Sequence, residues 1–183
     1  MKRKSVTGMY KEPILETERL ILRPITLADA PACFEWNSDE RVAKFMSYPT
    51  LTDVSQTEEW IKSTFEDEKE YNWVFVLKSE NRVIGSGSIG EDALMKDYWG
   101  IGYNLHYDYW HKGYCTEAMR AIVDYAHKKL GVNKICSDHA VDNPRSGKVM
   151  QKLGLRFHHY GEYTKIDGSQ TFKAKYYTME MRD

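Results

Sequence analysis

Leu105-His106-Tyr107-Asp108-Tyr109-Trp110-His111-Lys112-Gly113-Tyr114-Cys115-Thr116-Glu117-Ala118 leads a strand through a short loop, past one glycine, straight into a helix. The first amides of such a helix have no intrahelical acceptor, and the aligned peptide dipoles add partial positive charge there. Gly113 lets the backbone approach a ligand closely, so the amides of Lys112, Gly113, Tyr114, Cys115 and Thr116 are spaced to cradle a phosphate or pyrophosphate. His111 and Lys112 add local positive charge. Read alone, a lone glycine is weak evidence, and the loop composition by itself favours a plain strand-to-helix turn whose amides bind water. The pattern is neither a Walker A loop nor a dinucleotide fingerprint, because GxxxxGK[ST] and GxGxxG are both missing from it.

Upstream, Leu20-Ile21-Leu22-Arg23-Pro24-Ile25 reads as a strand. A short helix follows, capped by Asp29 with Pro31 in its first turn, and a second helix is expected over residues 54–69. Trp73-Val74-Phe75-Val76-Leu77 and Val83-Ile84-Gly85-Ser86-Gly87-Ser88-Ile89 form a hairpin, and a further strand covers residues 98–106. Downstream of the quoted stretch, Ala118, Ala121, Ile122, Tyr125, Ala126 and Leu130 make one apolar helical stripe that stops at Gly131. A strand over residues 134–140, a helix over 143–153 ending at Gly154, and two strands over 155–163 and 171–181 complete the chain. Antiparallel hairpins thus lead into one βαβ crossover, which requires a parallel pair with the helix on one face. The expected fold is α/β (α+β): a mixed, mostly antiparallel seven-stranded sheet with one parallel seam and about four helices. Ligands in such sheets gather where strand direction changes, at the mouth of the crossover.

The chain has 183 residues, room for one domain with a sizeable core. Residues 14–183 are taken as that domain, and residues 1–13 as a polar, flexible tail. Twenty-six basic residues face twenty-seven acidic ones, for a net charge of -1. That balance argues against a general nucleic-acid or membrane binder, so an anionic ligand must be met by a local site. Three cysteines without a CxxC pair read as reduced thiols in a cytoplasmic protein. No HExxH or comparable spacing is present, and His158 and His159 would point to opposite faces of a strand, so no metal is expected. No apolar run is long enough to span a bilayer.

Ile101-Gly102-Tyr103-Asn104-Leu105, Trp110-His111-Lys112-Gly113-Tyr114-Cys115-Thr116-Glu117-Ala118, Asn143-Pro144-Arg145-Ser146 and Lys152-Leu153-Gly154-Leu155-Arg156-Phe157 occur in an order and spacing that resemble the GNAT superfamily of N-acetyltransferases. The branch with the ribosomal-protein N-terminal acetyltransferases is the most similar. The resemblance implies transfer of an acetyl group from acetyl-CoA to a primary amine by direct attack in a ternary complex, with no metal. A peptide N-terminal α-amine is the expected acceptor. The alternatives are a polyamine, aminoglycoside or amino-acid acetyltransferase, or a non-catalytic coenzyme A sensor. A monomer or homodimer is implied.

Residue by residue, the family's Gln/Arg-x-x-Gly-x-Gly/Ala pyrophosphate segment falls on Trp110, His111, Lys112, Gly113, Tyr114 and Cys115, with Trp110 and Cys115 departing from it. Cys115 is read as a turn residue and not as a nucleophile. The resemblance also implies that the strand ending at Leu105 splays from the strand over residues 134–140. Backbone groups of Asn104 and Leu105 would then be unpaired, ready to bind the pantetheine arm and polarise the thioester carbonyl. Gly100 and Gly102 suit either a bulge or close packing there. Asn143 before Pro144 is a good helix cap on its own account, and by resemblance Asn143 and Ser146 also flank the pantetheine and its sulfur. Met150 stands where many relatives carry a tyrosine acid, which leaves Ser146 or no side chain to serve the departing thiolate. Asp138 matches the position of a base in some relatives, and a capping or salt-bridged aspartate is the other reading.

Overall fold

A computed structural model describes residues 11–181, and the expected tail of residues 1–13 falls largely outside them. Among the described residues, eight strands form one sheet: β1 (Leu15–Glu16), β2 (Leu20–Pro24), β3 (Glu70–Leu77), β4 (Arg82–Glu91), β5 (Trp99–Leu105), β6 (Lys134–Ala140), β7 (Arg156–Thr164) and β8 (Thr171–Glu180). Their spatial order is β1-β2-β3-β4-β5-β6-β8-β7, and the pairing is antiparallel except between β5 and β6. The helices are α1 (Ala30–Asn37), α2 (Glu40–Ala43), α3 (Val54–Glu66), α4 (Tyr114–Leu130) and α5 (Pro144–Leu153). The two elements beyond the expected seven strands and four helices are a two-residue edge strand and a one-turn helix, both too short for periodicity to register.

Strand alternation divides the core. Trp73, Phe75 and Leu77 of β3 pack with α4 residues Met119, Ile122 and Ala126, while Val74 packs with Cys33, Trp36 and Ile61 of α1 and α3 on the other face. Local chemistry sets the helix ends. Asp53 accepts from the Ser55 amide at 2.8 Å and Gln56 accepts from the Asp53 amide at 3.0 Å, a reciprocal cap on α3. Gly131 and Gly154 end α4 and α5 in left-handed conformations.

Three local readings change. Residues 11–13 are not free: the Glu12 carboxylate accepts from the Asn72 amide at 3.1 Å, and the Pro13 carbonyl accepts from the Trp73 indole at 2.8 Å. The β4–β5 register runs unbroken through Gly100 and Gly102. The bulge lies instead between β3 and β4, where Ile84 is the extra residue between Val83 and Gly85. A side chain on Gly100 would meet Asp92 at 2.9 Å, so close packing accounts for that glycine. Finally, an irregularity between Phe157 and His159 breaks the alternation on β7, and the His158 and His159 Nδ1 atoms come within 2.7 Å of each other on the surface.

Candidate functional site

β5 and β6 pair only at Trp99–Ile135 and Gly100–Cys136. One residue further on, the Ser137 hydroxyl donates to the Ile101 carbonyl at 2.9 Å, and beyond that the strands separate. The phase of the ladder decides which backbone groups face the gap. The His106 amide donates to the Ile84 carbonyl at 2.8 Å, so alternation turns the main chain of Asn104 toward β4 and that of Tyr103 and Leu105 into the gap. The Leu105 carbonyl takes the Trp110 indole N–H at 2.8 Å, leaving the Leu105 amide directed at the opening. Asn104 works on the opposite face, where its side-chain oxygen lies 2.9 Å from the Tyr48 hydroxyl.

At the helix mouth Gly113 is the N-cap of α4, with φ +83, and offers no side chain to close it. The first helical bond runs from the Glu117 amide to the Gly113 carbonyl at 3.0 Å, so the amides of Tyr114, Cys115 and Thr116 have no helical acceptor. The turn is braced from behind. Arg19 donates to the Lys112 carbonyl at 3.0 Å, stacks on Tyr114 at 4.4 Å and pairs with Glu117 at 2.7 Å. Burial alone would raise the Glu117 pKa, but donors from Thr17 and Arg19 outweigh it and hold the carboxyl low. Glu117 is therefore a brace. A cleft of about 330 Å³ opens in front, lined by Asn104, Leu105, Trp110, His111, Gly113, Cys115, Thr116, Asn143 and Ser146, with Arg41, Arg145, Lys148 and Lys152 at its edge. Lys112 and Tyr114 are not among its lining residues, and the Tyr114 ring is stacked under Arg19. Burial pushes the Cys115 thiol up to about 12, which keeps it protonated at neutral pH.

Across the cleft, α5 begins at Asn143 with Pro144 at its first position, and the Asn143 side chain makes no capping bond. Ser146 Oγ lies 2.9 Å from the Tyr103 hydroxyl, which also donates to the Ser146 carbonyl at 3.0 Å. Met150 is 1% exposed and belongs to the core beneath α5. Tyr103 escaped the sequence reading. Its signal was the alternation Ile101, Tyr103, Leu105, which sends all three side chains toward α4 and α5.

The other sheet face carries a second hollow of about 420 Å³. Asn72, Ser86, Ser88, Gly100 and Gly102 form its floor, and Tyr48, Trp60, Glu70, Glu91 and Asp92 are on its walls. Tyr103, Asn104 and Met46 line both spaces, so the two meet at the β5–β6 gap. Of the other aromatics, Trp36 and Trp73 are core residues and Tyr160 is exposed. Asp138 lies on β6 opposite Tyr176. Burial, and then the negative charge of Asp92, push its pKa up to about 6. Among the described residues, no group of three or more His, Cys, Asp or Glu could hold a metal, and no helix is long and apolar enough to cross a membrane.

Residues 19–156 match the family model described as an acetyltransferase (GNAT) domain. The uncharacterized N-acetyltransferase p20 of Bacillus licheniformis is 30% identical over 145 residues, covering 78% of this chain and 82% of that protein. A GNAT-family acetyltransferase from Bacillus anthracis superposes with a TM-score of 0.78 at 24% identity, over 92% of this chain and 98% of the other. The microcin C7 self-immunity acetyltransferase, solved in complex with acetyl-CoA and AMP, superposes with a TM-score of 0.76 at 18% identity, over 90% and 94%. The two solved structures bear on the fold alone.

Proposed function

This chain belongs to the acetyltransferase (GNAT) family and is an acetyl-CoA-dependent N-acetyltransferase, and from that premise we propose that its acceptor is the α-amine of a peptide or protein N-terminus. Acetyl-CoA supplies the activated acetyl group as a thioester. The amides of Tyr114, Cys115 and Thr116 hold the pyrophosphate, the Leu105 amide faces the thioester carbonyl, and Asn143 and Ser146 flank the pantetheine end. The amine enters from the polar hollow. Asp138 is not among the residues lining that hollow but is close enough to feel the charge of Asp92 on its wall, and it takes the proton during direct attack in a ternary complex.

The reading draws on where Asp138 sits, on β6 beside the β5–β6 seam and within reach of the charge of Asp92 on the hollow's wall. A carboxylate of pKa about 6 is charged at neutral pH yet more basic than an ordinary aspartate. Removing a proton from an α-amine of pKa about 8 is then uphill by roughly 2–3 kcal/mol. A lysine amine near 10.4 would face about 6 kcal/mol. The smaller gap belongs to the α-amine, whose ammonium is the stronger acid of the two. A second reading, a polyamine acceptor, draws on the acidic wall of Asp67, Glu70, Glu91 and Asp92, although Lys69 pairs with Glu91 at 2.5 Å. The three free cysteines support a reducing, cytoplasmic setting.

The test is release of free thiol from acetyl-CoA with a panel of amines. Turnover with Ala- or Ser-starting peptides and none with spermidine or kanamycin supports the reading. Preference for spermidine overturns it in favour of the polyamine, and tight coenzyme binding without turnover on any amine would mark a sensor.

A further inference from the structure

The fold brings one hydroxyl pair together at the wall of the cleft that opens from the helix mouth. Tyr103 extends from β5 into the gap, and α5 starts on the far side with Ser146 in its first turn. Their oxygens are 2.9 Å apart, and the Tyr103 hydroxyl also reaches the Ser146 carbonyl at 3.0 Å. Both residues line the cleft that opens at the helix mouth, and Tyr103 alone of the two also lines the acceptor hollow. Met150 is buried in the core, and its thioether has no proton to donate.

We propose that Tyr103 is the hydrogen-bond donor to the departing sulfur of coenzyme A, and that Ser146 is the positioning residue that aims it. The assignment rests on the acetyl-transfer reading above and moves the sulfur-facing role from Ser146 to the strand. In the step, the amine nitrogen forms its bond to the acetyl carbon, the carbon–sulfur bond breaks, and the electron pair stays on sulfur. The amine proton passes to Asp138 and on to solvent, and the thiolate later takes a proton from solvent. Tyr103 keeps its own proton throughout: the O–H turns from the Ser146 carbonyl to the sulfur, while the Ser146 hydroxyl donates to the phenol oxygen. Burial holds its phenol above the ordinary tyrosine range, so it remains a neutral donor beside a thiol whose free pKa is near 8.5. A donor that stays protonated stabilises the thiolate without having to be recharged.

The experiment reads the bound thiol and not only turnover. Coenzyme A, the product, is added to the wild-type enzyme and to Tyr103→Phe and Ser146→Ala. Calorimetry gives its affinity, and the ultraviolet absorbance of the thiolate is titrated with pH. The wild-type enzyme is expected to bind coenzyme A with its thiol more acidic than in free solution. Tyr103→Phe should make the bound thiol about tenfold less acidic, with affinity at low pH held within about twofold. Ser146→Ala should show a smaller change in the same direction. In turnover, Tyr103→Phe should lower kcat about 10- to 100-fold with the thioester, and much less with the selenium analogue of acetyl-CoA, whose leaving group needs little help. An identical thiol titration in wild type and Tyr103→Phe, or an equal kcat loss with both donors, overturns the proposal while leaving acetyl transfer intact. Absence of any heat on adding coenzyme A would instead remove the reading on which it rests.

Discussion

The Lys165 ammonium, at the turn between β7 and β8, donates to the main-chain carbonyl of Tyr48 at 2.8 Å. It also meets the carbonyls of Ala43 at 2.8 Å and Met46 at 3.0 Å, and is only 7% exposed. The Ile166 amide and Tyr163 hydroxyl add bonds to Ser47 and Phe45. One end of the sheet is thus strapped across residues 43–48, the segment from which Met46 lines both hollows and Tyr48 the polar one.

Lys165→Met keeps the apolar stem and removes all three donors. Unmet buried carbonyls cost about 1–3 kcal/mol in total here, since the loop can relax toward water. For a chain of this size that is a fall in Tm of roughly 3–10 °C. Loosening the strap should also raise KM for the acceptor several-fold. Scanning calorimetry and steady-state kinetics check the two effects, and an unchanged acceptor KM would show that the strap does not govern the site.

A second constraint sits under α5. His139 is buried, its Nδ1 lies 2.7 Å from the Ala140 carbonyl, and its Nε2 has no partner among the described residues. A Cβ built on Gly147 would stand 2.5 Å from that Nε2. Gly147→Ala should therefore cost about 1–3 kcal/mol by overpacking. It should also lower kcat, because Ser146 is the preceding residue. Adding His139→Ala removes the obstacle, so the double variant should recover stability relative to Gly147→Ala. Denaturant melts on the four-member cycle give the coupling, and simple additivity would contradict this packing account.

What the sequence disclosed and what it hid follow a physical division. The crossover, the stops at Gly131 and Gly154 and the exposed mouth at Gly113 were legible because each is written in local residue choice. Period-2 alternation also gave most strand bounds within a few residues. Contacts between elements far apart in sequence were not legible. Lys165 reads as one more turn lysine until the fold sets it against Tyr48, and Tyr103 reads as one more strand aromatic until α5 brings Ser146 to it. Asp138 and Asp92 are likewise coupled only through the sheet. The backbone phase that faces Leu105 into the gap and Asn104 away from it depends on the β4–β5 register, which hydropathy does not encode.

Gly113 tests the helix mouth. Its φ of +83 is a left-handed conformation, and an added Cβ would find nothing closer than Arg19 at 3.4 Å, so strain is the main penalty of substitution. Gly113→Ala should cost about 1–2 kcal/mol. Where the turn relaxes, the amides lose their aim, and KM for acetyl-CoA should rise about tenfold with little change in acceptor KM. Gly113→Asn should be milder, because asparagine tolerates this region better. Initial-rate kinetics with each substrate varied in turn separate the two constants, and an equal rise in both would argue against a donor-specific cradle.

Asp138 gives a prediction in which stability and activity move in opposite directions. Its folded pKa is about 6, above the ordinary aspartate value of 3.8, so the folded state binds the proton more tightly than the unfolded chain. Below about pH 4 both states are protonated and the carboxyl contributes its full relative stability. That contribution is lost as pH rises from 4 through 6, and above 6 the buried charge costs up to roughly 3 kcal/mol. Asp138→Asn removes the charge, so the variant should be about 1–3 kcal/mol more stable than wild type at pH 8 and nearly equal to it at pH 4. The same substitution removes the proposed base, and kcat should fall about 10²- to 10⁴-fold. Wild-type kcat/KM should itself rise with pH through about 6 as the carboxyl ionises, a limb that Asp138→Asn lacks. Melting curves at the two pH values and a pH–rate profile make the comparison, and a variant that is inactive but no more stable at pH 8 would mean that this carboxylate is neither desolvated nor opposed by Asp92.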